Sequence, residues 1–260
     1  MTWIGRCGVK LSIIVPAYNA LEDTMRCVAS IRRTTDPRYT DVLIQDDASP
    51  DVVMPELIGP ACQRNPQNLG FPGNCNAGAA RATGDLLMFI NQDVTVAQPG
   101  WDTRLREWFV STPEMGIAGP TLLFPDGRVQ SVGGAFDCFC QPYHEALGML
   151  NPYWEAIHTP RPVGWITGAA LAIRAELWHQ LGGFDTVYGR GYFEDVDLCV
   201  RAQVAGYEVW HLPGIIMTHR VGSTGGNPQM LENARLFKER WVDTGIVGPD
   251  THHRKVSFWA

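Results

Sequence analysis

Acidic and amide side chains follow an apolar stretch in the first half of the chain. Asn91-Gln92-Asp93 comes directly after the apolar segment Asp85–Ile90. Alternate residues of an extended segment point to the same side, so we expect Asn91 and Asp93 to share a face. Oxygen ligands grouped in this way suit Mg²⁺ or Mn²⁺, which can also bridge phosphate groups. An ordinary turn that ends a strand would use the same residue types, so the pattern alone leaves both interpretations open.

A second acidic group, Glu194-Asp195-Val196-Asp197, places three acids in four positions where a helix is expected to begin. Acids at a helix amino terminus can simply cap it, which stabilises a helix by roughly 0.5–2 kcal/mol. One acid would be enough for that purpose, so the excess indicates a candidate catalytic carboxylate. The helix terminus lowers a carboxylate pKa, whereas burial and a neighbouring acid raise it.

His219 and the cysteines are weaker candidates for metal binding. His219 follows the apolar segment Ile215–Thr218 and precedes the glycine-rich segment Gly222–Gly226. A single histidine is more often structural, and His219 becomes a metal-ligand candidate only if Asp93 lies nearby. Cys138 and Cys140 form a C-x-C pair without a second pair, which is poor evidence for zinc. The seven scattered cysteines favour reduced thiols over a disulfide framework.

The elements that must position these residues alternate between strands and helices. The patterns predict strands over Leu11–Val15, Val42–Gln45 and Asp85–Ile90, with helices over Glu22–Arg33 and Gly73–Ala82 between them. This alternation is typical of an α/β fold with a mainly parallel sheet and helices on both faces. The carboxyl ends of such strands meet at one ligand-binding edge, so four polar residues should lie there together: Tyr18, Asp46, Asp47 and Asp93.

The second half is less regular, and no linker separates it from the first. Four further strands are predicted over Met115–Phe124, Leu171–Ile173, Val209–Leu212 and Ile215–Thr218. Three further helices are predicted over Glu176–Leu181, Asp195–Ala205 and Pro228–Asp243. Residues 136–162 are rich in aromatic residues, proline and histidine without a clear period. We therefore expect one domain over residues 1–260.

Composition and missing motifs exclude several classes of protein. A chain of 260 residues can bury a sufficient core without disulfides, and its net charge of −6 argues against a nucleic-acid partner. No apolar run approaches the roughly 18 residues of a membrane-spanning helix. The expected location is the cytoplasm, with peripheral membrane contact left open. Pro16-Ala17-Tyr18-Asn19 stands where a dinucleotide-binding fingerprint would be, and Gly73–Gly78 lacks the Lys and Ser/Thr of a P-loop.

The order of short motifs carries a specific resemblance. The chain resembles the family-2 inverting glycosyltransferases of GT-A fold, and within them the rhamnosyltransferase-like branch, from about Leu11 to Gly226. The motifs are, in order, Ile14–Asn19, Gln45–Ser49, Asn68–Phe71, Asn91–Asp93, Gly168–Ala170, Gly182–Asp185, Tyr192–Leu198 and His219. Residues 136–162 and the tail after Pro228 match no motif of this family.

The resemblance implies a role for each matching residue. Tyr18 and Asp47 match the nucleobase pocket, shaped by the backbone of Pro16 and Ala17, and Asn68, Gly73 and Asn74 match the loop beside the ribose and diphosphate. Asp93 matches the last aspartate of the metal-binding D-x-D motif, and Asn91 stands where the first aspartate would be, which removes one negative charge. Asp195 matches the general base, with Glu194 beside it, and His219 matches a late histidine that helps to hold the metal or the diphosphate.

The implied reaction is transfer of a sugar from a nucleotide-diphosphate donor, with inversion, to an acceptor hydroxyl. It implies Mn²⁺ or Mg²⁺ as cofactor, a dTDP-rhamnose or UDP-hexose donor, and a carbohydrate, lipid-linked glycan or protein acceptor. About 11–130 would form the nucleotide-sugar half, about 131–226 the acceptor half, and 227–260 a C-terminal helix and tail. Two alternatives remain: a non-catalytic sugar-nucleotide or glycan binding protein on this fold, and a sugar nucleotidyltransferase, although Tyr18–Leu21 lacks the basic, glycine-rich segment of the latter.

Overall fold

The computed structural model describes residues 8–50, 59, 61–150, 158–221 and 228–248. Within these ranges ten strands form one mixed sheet. The ten strands of this sheet are β1 Leu11–Ala17, β2 Thr40–Asp46, β3 Cys62–Arg64, β4 Leu86–Ile90, β5 Val94–Val96, β6 Met115–Leu123, β7 Val129–Ser131, β10 Arg161–Pro162, β11 Ala170–Arg174 and β12 Glu208–His219. Strands β8, Gly134–Phe136, and β9, Pro142–His144, form a separate hairpin.

The sheet follows the order β10-β12-β6-β11-β4-β1-β2-β3, with β5 paired to β12 and β7 to β6. Strands β4, β1, β2 and β3 are parallel to one another, as the sequence predicts. Strand β11 is antiparallel to both of its neighbours, β4 and β6, so a strand from the second half of the chain separates two strands of the first half.

In the described part of the chain six α-helices lie against the sheet: α1 Leu21–Thr34, α2 Gly70–Ala79, α3 Trp101–Ser111, α4 Ala175–Leu181, α5 Glu194–Val204 and α6 Met230–Phe237. Helix α6 continues into a π-helical turn over Lys238–Val242. Apolar residues of α1 and α3 pack on one face of the sheet, and those of α2, α4 and α5 pack on the other. The predicted α/β fold with helices on both faces is therefore confirmed. No helix of the described residues combines the length and apolar character that crossing a membrane requires.

Several local predictions need correction. Asn91–Asp93 is not extended, because the backbone nitrogen of Val94 donates to the carbonyl of Asn91 at 3.0 Å and closes a turn. The two predicted strands around Pro213-Gly214 are one strand, β12, with an irregularity between Leu212 and Ile216. Helix α2 begins at Gly70, three residues before the predicted start. The segment Gly222–Gly226 and the tail from residue 249 lie outside the described residues.

Candidate active site

A cleft of about 810 Å³ opens along the carboxyl edge of the parallel strands. This volume is within the range of small-molecule binding sites in proteins. Eleven of the twelve site residues that the sequence predicts line it: Pro16, Ala17, Tyr18, Asp47, Asn68, Asn74, Asn91, Asp93, Glu194, Asp195 and His219. Residues more than two hundred positions apart in sequence therefore share one cavity.

Gly73 is the exception, because it does not line the cleft. It lies inside α2, where a Cβ atom would come within 2.8 Å of the Leu69 side chain. Gly70, at the start of α2, lines the cleft instead. Its φ is +72°, and a Cβ there would lie 2.2 Å from the carbonyl oxygen of Gly189. Neither glycine leaves room for a side chain, but only Gly70 combines this with a positive φ and a place in the cleft.

Asp93 and His219 contact each other at one end of the cleft. His219 Nε2 lies 3.0 Å from Asp93 Oδ1, and both residues are largely buried. The turn after β4 carries Asp93, and the last residue of β12 is His219, which pairs with Val94 of β5. Gln130 Oε1 accepts from His219 Nδ1 at 2.9 Å. With Nδ1 directed at Gln130, Nε2 is the ring nitrogen that faces Asp93.

This pair fits a divalent cation of the Mg²⁺ or Mn²⁺ type. His219 Nε2 and Asp93 Oδ1, which lie 3.0 Å apart, would supply one nitrogen and one oxygen to such a cation. Asn91 Oδ1 is buried without a hydrogen-bond partner among the described residues, so it offers a further oxygen two positions before Asp93. No group of three or more His, Cys, Asp or Glu in the described ranges could hold a metal. Phosphate oxygens and water would have to complete the coordination.

Tyr18 is held at the cleft by its main chain. Gln92 Oε1 accepts from the Tyr18 nitrogen at 2.9 Å, and Gln92 Nε2 donates to the Tyr18 carbonyl at 2.9 Å. Thr24 of α1 donates to the same Gln92 oxygen at 3.1 Å. The middle residue of the Asn91–Asp93 turn thus connects that turn to the end of β1, which leaves the tyrosine ring to face the cleft.

Asp47 has a structural duty in addition to its predicted one. Its Oδ1 accepts from Leu69 N at 2.8 Å and from Asn65 Nδ2 at 2.9 Å, and its Oδ2 accepts from Gly70 N at 3.0 Å. A carboxylate has about four acceptor positions, so one remains on Oδ2 for a ligand donor. Burial raises the pKa of Asp47, and the three donors oppose this effect.

Asn68 and Asn74 mainly support the same wall. Asn68 Nδ2 donates to the Asp47 carbonyl at 3.1 Å, and Asn68 Oδ1 accepts from Gly70 N at 3.2 Å. Asn74 is buried, donates to the Gln45 carbonyl at 3.0 Å and accepts from Asn65 at 2.9 Å. Both side chains therefore order the start of α2, so their contribution to ligand binding remains a prediction.

Asp195 lies at the start of α5 and faces the segment before β11. Its Oδ2 accepts from the backbone nitrogen of Gly168 at 2.8 Å, and its Oδ1 accepts from Val196 N at 2.8 Å. The next residue, Ala169, accepts from the backbone nitrogen of Asn91 at 2.9 Å. Gly168 therefore bonds to Asp195, the candidate base, and the next residue, Ala169, bonds to the turn that carries Asp93, the candidate metal ligand.

Glu194 is the more deeply buried of the two acids. It is 5% exposed, and its Oε2 has no hydrogen-bond partner among the described residues. Burial, followed by the charge of Asp195, raises the pKa of Glu194 well above its ordinary value. Burial also raises the pKa of Asp195, while the N–H donors of Gly168 and Val196 lower it. The net effect on the pKa, which the sequence could not decide, is therefore an increase for both carboxyls.

Asp197, the third acid, is a structural residue. It is fully buried and accepts from Arg201 Nε at 2.7 Å, from Arg240 Nη1 at 3.0 Å and from Trp241 Nε1 at 2.8 Å. Tyr188 also donates to it at 3.2 Å. The acidic cluster thus divides into two residues that line the cleft and one that connects α5 to the C-terminal segment.

Several lining residues escape sequence reasoning. Gln92 and Gln130 act through a carbonyl or a ring nitrogen, and an isolated glutamine gives no motif. His144 lies in the hairpin of the irregular segment, where burial and then nearby His219 lower its pKa to about 4, so it is neutral near pH 7. Arg190 is exposed at the cleft and makes no side-chain hydrogen bond or ion pair within the described part of the chain.

Sequence comparisons agree with this geometry. The profile described as "Glycosyl transferase family 2" matches residues 12–136. The chain is 29% identical, over 84% of its length and 78% of the relative, to the N-acetylglucosaminyl-diphospho-decaprenol L-rhamnosyltransferase of Mycobacterium tuberculosis. It is also 29% identical, over 77% of its length, to the O-antigen biosynthesis protein RfbC of Myxococcus xanthus. It spans only 16% of that relative and 28% of the Sinorhizobium fredii protein y4gI.

Solved structures show the same fold. GalNAc-T7, crystallised with UDP, GalNAc and Mn²⁺, superposes with a TM-score of 0.74 at 18% identity, over 91% of this chain and 49% of that one. The mannosyltransferase PcManGT of Pyrobaculum calidifontis, in complex with GDP-Man and Mn²⁺, superposes with a TM-score of 0.62 at 18% identity, over 84% of this chain and 58% of that one. The profile match, the relatives and the shared fold together support the assignment of this chain to the family-2 glycosyltransferases of GT-A fold, in their rhamnosyltransferase-like branch.

Proposed function

We propose that this glycosyltransferase is inverting and metal-assisted, with Asp195 as the general base. The observation that carries the proposal is the shared attachment of Asp195 and the Asn91–Asp93 turn to Gly168-Ala169. Inversion needs a base beside the acceptor hydroxyl, on the side of the sugar away from the leaving diphosphate. A rigid connection between the two groups would keep that geometry fixed.

Asp93 and His219, with Asn91 as a further oxygen, are the residues that would hold the cation. Mn²⁺ or Mg²⁺ bound there would neutralise charge on the diphosphate and make it a better leaving group. Arg190 brings an additional positive charge to the cleft and can pair with a phosphate oxygen. The half-buried His144 stays neutral near pH 7, so it contributes no charge to this role.

Asp195 would accept the proton of the acceptor hydroxyl as the new glycosidic bond forms. Its raised pKa makes it a stronger base than an exposed aspartate, and Gly168 and Val196 keep its carboxylate oriented. Glu194, protonated over a wider pH range, would keep a second negative charge away from Asp195 when the donor binds.

The donor is expected to be dTDP-rhamnose or a UDP-hexose. Tyr18 and the remaining acceptor position of Asp47 Oδ2 suit a base that has an imide N–H, which uracil and thymine carry. The rhamnosyltransferase relative makes dTDP-rhamnose the first donor to test. Residues from about 11 to 130 would bind the donor, and residues from about 131 to 226 would bind a glycan, lipid-linked or protein acceptor.

Incubation of the purified chain with each sugar nucleotide and Mn²⁺ tests this proposal. Release of a nucleoside diphosphate that increases on addition of acceptor supports a transferase. Binding without any release would indicate a binding protein, and consumption of a nucleoside triphosphate would indicate a nucleotidyltransferase. The anomeric configuration of the product, read from its one-bond C1–H1 NMR coupling, decides between inversion and retention.

A further inference from the structure

The backbone that leads into α5 has an uncommon conformation. Gly189, Gly191, Tyr192 and Phe193 all have positive φ, at 60°, 122°, 70° and 76°. Tyr192 and Phe193 carry bulky side chains, which disfavour this region. Such a conformation persists only where the surrounding structure holds it, and it often occurs beside functional sites. Here it ends directly before Glu194.

One side chain of the C-terminal helix holds this segment. Asn233 Nδ2 donates to the carbonyls of Tyr188 at 2.9 Å, Gly191 at 2.8 Å and Tyr192 at 3.0 Å. Asn233 is 4% exposed. Three main-chain carbonyls of this segment therefore accept from one amide group. In a buried position few other donors could replace that group.

The same C-terminal segment also contacts the buried side of the first turn of α5. Arg240 Nη1 pairs with Asp185 at 2.8 Å and with Asp197 at 3.0 Å, and Trp241 donates to Asp197. Met230, near the start of α6, lines the cleft itself. The segment from Met230 to Val242 therefore reaches the cleft, the bend before α5 and the buried side of α5.

We infer that Asn233 is a positioning residue for the transfer reaction: by holding the bend at Tyr188–Phe193, it fixes the start of α5 so that Asp195 meets the acceptor hydroxyl. This inference rests on the proposed function of Asp195. Asn233 does not touch the substrate. It acts through the backbone of the bend, so its loss should reduce catalysis more than nucleotide binding, because Tyr18 and Asp47 lie on other elements.

Two substitutions and one control test this role. Asn233→Asp keeps the shape and removes both N–H donors, and Asn233→Ala removes the group. Displacing a reactive group by about 1 Å can cost on the order of 10²-fold in rate, so we expect kcat to fall by about that factor. The Kd for UDP or dTDP should change by less than about twofold. Arg235→Ala, an exposed residue of the same helix that pairs only with Glu239 among described residues, should behave as the unaltered protein.

Hydrogen exchange of the amides at 189–194 provides a readout that needs no turnover. Both Asn233 variants should exchange faster there, while the Arg235→Ala protein should not. If the unaltered protein transfers no sugar, the proposed function fails, and the exchange result still judges the contact. Full kcat in Asn233→Asp, or unchanged exchange in both variants, would overturn the inference. A parallel loss of kcat and nucleotide affinity would also overturn it, because that pattern indicates a general structural role.

Discussion

Asp195 Oδ2 accepts a hydrogen bond from the backbone nitrogen of Gly168 at 2.8 Å. A Cβ atom at Gly168 would meet the Phe71 ring at 3.1 Å, so a larger residue there would press on the start of α2. The carboxylate is thus oriented by the main-chain N–H groups of Gly168 and Val196 together with the side chain of Thr167. The effects of substituting Glu194, Asp195 and Asp197 can therefore be measured separately.

Asp195→Asn should retain an acceptor for the Gly168 N–H and keep the fold, while it loses basicity. General-base removal typically costs on the order of 10²–10⁴ in rate, so kcat should fall within that range. Nucleotide affinity, measured by calorimetry, should stay nearly constant. If the cluster only caps α5, asparagine would serve equally well, and a fully active variant would assign the base to another group.

Glu194→Gln should stabilise the protein at neutral pH. Because the folded-state pKa of Glu194 is raised, the folded protein holds its proton at pH values where the unfolded chain, with a pKa of about 4.3, has lost it. Stability of the unaltered protein therefore falls as pH rises from that value to the folded pKa. Glutamine has no such penalty. The melting-temperature gain should be largest near neutral pH and vanish near pH 4; a pH-independent gain would point to packing instead.

Asp93→Ala and His219→Ala should each abolish the stabilisation by Mn²⁺ of the complex with nucleoside diphosphate. A ligand raises stability by RT ln(1 + [L]/Kd), so melting temperature with and without Mn²⁺ reports the metal directly. Both variants should also lose transfer at excess Mn²⁺. His179→Ala, an exposed histidine of α4, is the control. Full transfer by the unaltered protein in EDTA would reject the metal assignment.

Asp197→Ala should destabilise the fold strongly. Removing one partner of a buried charge pair costs on the order of 3–5 kcal/mol, and here two arginines and an indole N–H each lose one acceptor. Urea denaturation measures this loss. Asp126→Ala, which breaks the exposed pair with Arg128, should change stability by less than about 1 kcal/mol. Equal effects would contradict the structural role of Asp197.

Gly70→Ala and Gly127→Ala form a matched pair. Both glycines have positive φ, so alanine costs roughly 1–2 kcal/mol of backbone strain at each. Only at Gly70 would the added carbon also meet the carbonyl of Gly189, at 2.2 Å, whereas the space beside Gly127 is open. The Gly70→Ala protein should therefore have the lower melting temperature and weaker nucleotide binding. Equal melting temperatures would show that α2 can shift without cost.

The sequence predicted the parts of the site that follow strands. Tyr18, Asp47 and Asp93 line the cleft as the strand-end argument expected, because parallel strands bring their carboxyl ends together. Asp46, the fourth residue of that prediction, does not line the cleft; it is buried at the end of β2 and pairs with Arg64. Asn91 and Asp93 do line one cleft, but through a turn rather than through the alternation of an extended segment. The family resemblance predicted that Asp195 and His219 belong to the same site, which the hydrophobic periodicity of the sequence could not predict.

Other contributions depend on contacts between distant segments, so no local pattern contains them. Asn233 and Gln92 are single amides that act on main-chain atoms of another element, at Tyr188 and Tyr18. Gly73 lies in the helix that the sequence predicted, but it is one turn away from the glycine that lines the cleft. Helix α3 received no prediction, although Trp101, Leu105 and Phe109 of this helix are buried at helical spacing.

The position of β11 has a consequence for protein engineering and for synthesis on the ribosome. When residues up to Phe136 have been made, β4 and β6 both exist, yet the strand that joins them in the sheet is still to come at Ala170–Arg174. The two parts of the sheet therefore cannot join until the chain has grown past Arg174. The last strand, β12, is complete only at His219. A chimera joined near residue 130 would combine strands that never evolved as neighbours. A crossover after His219 would leave every strand of the sheet with its original partners.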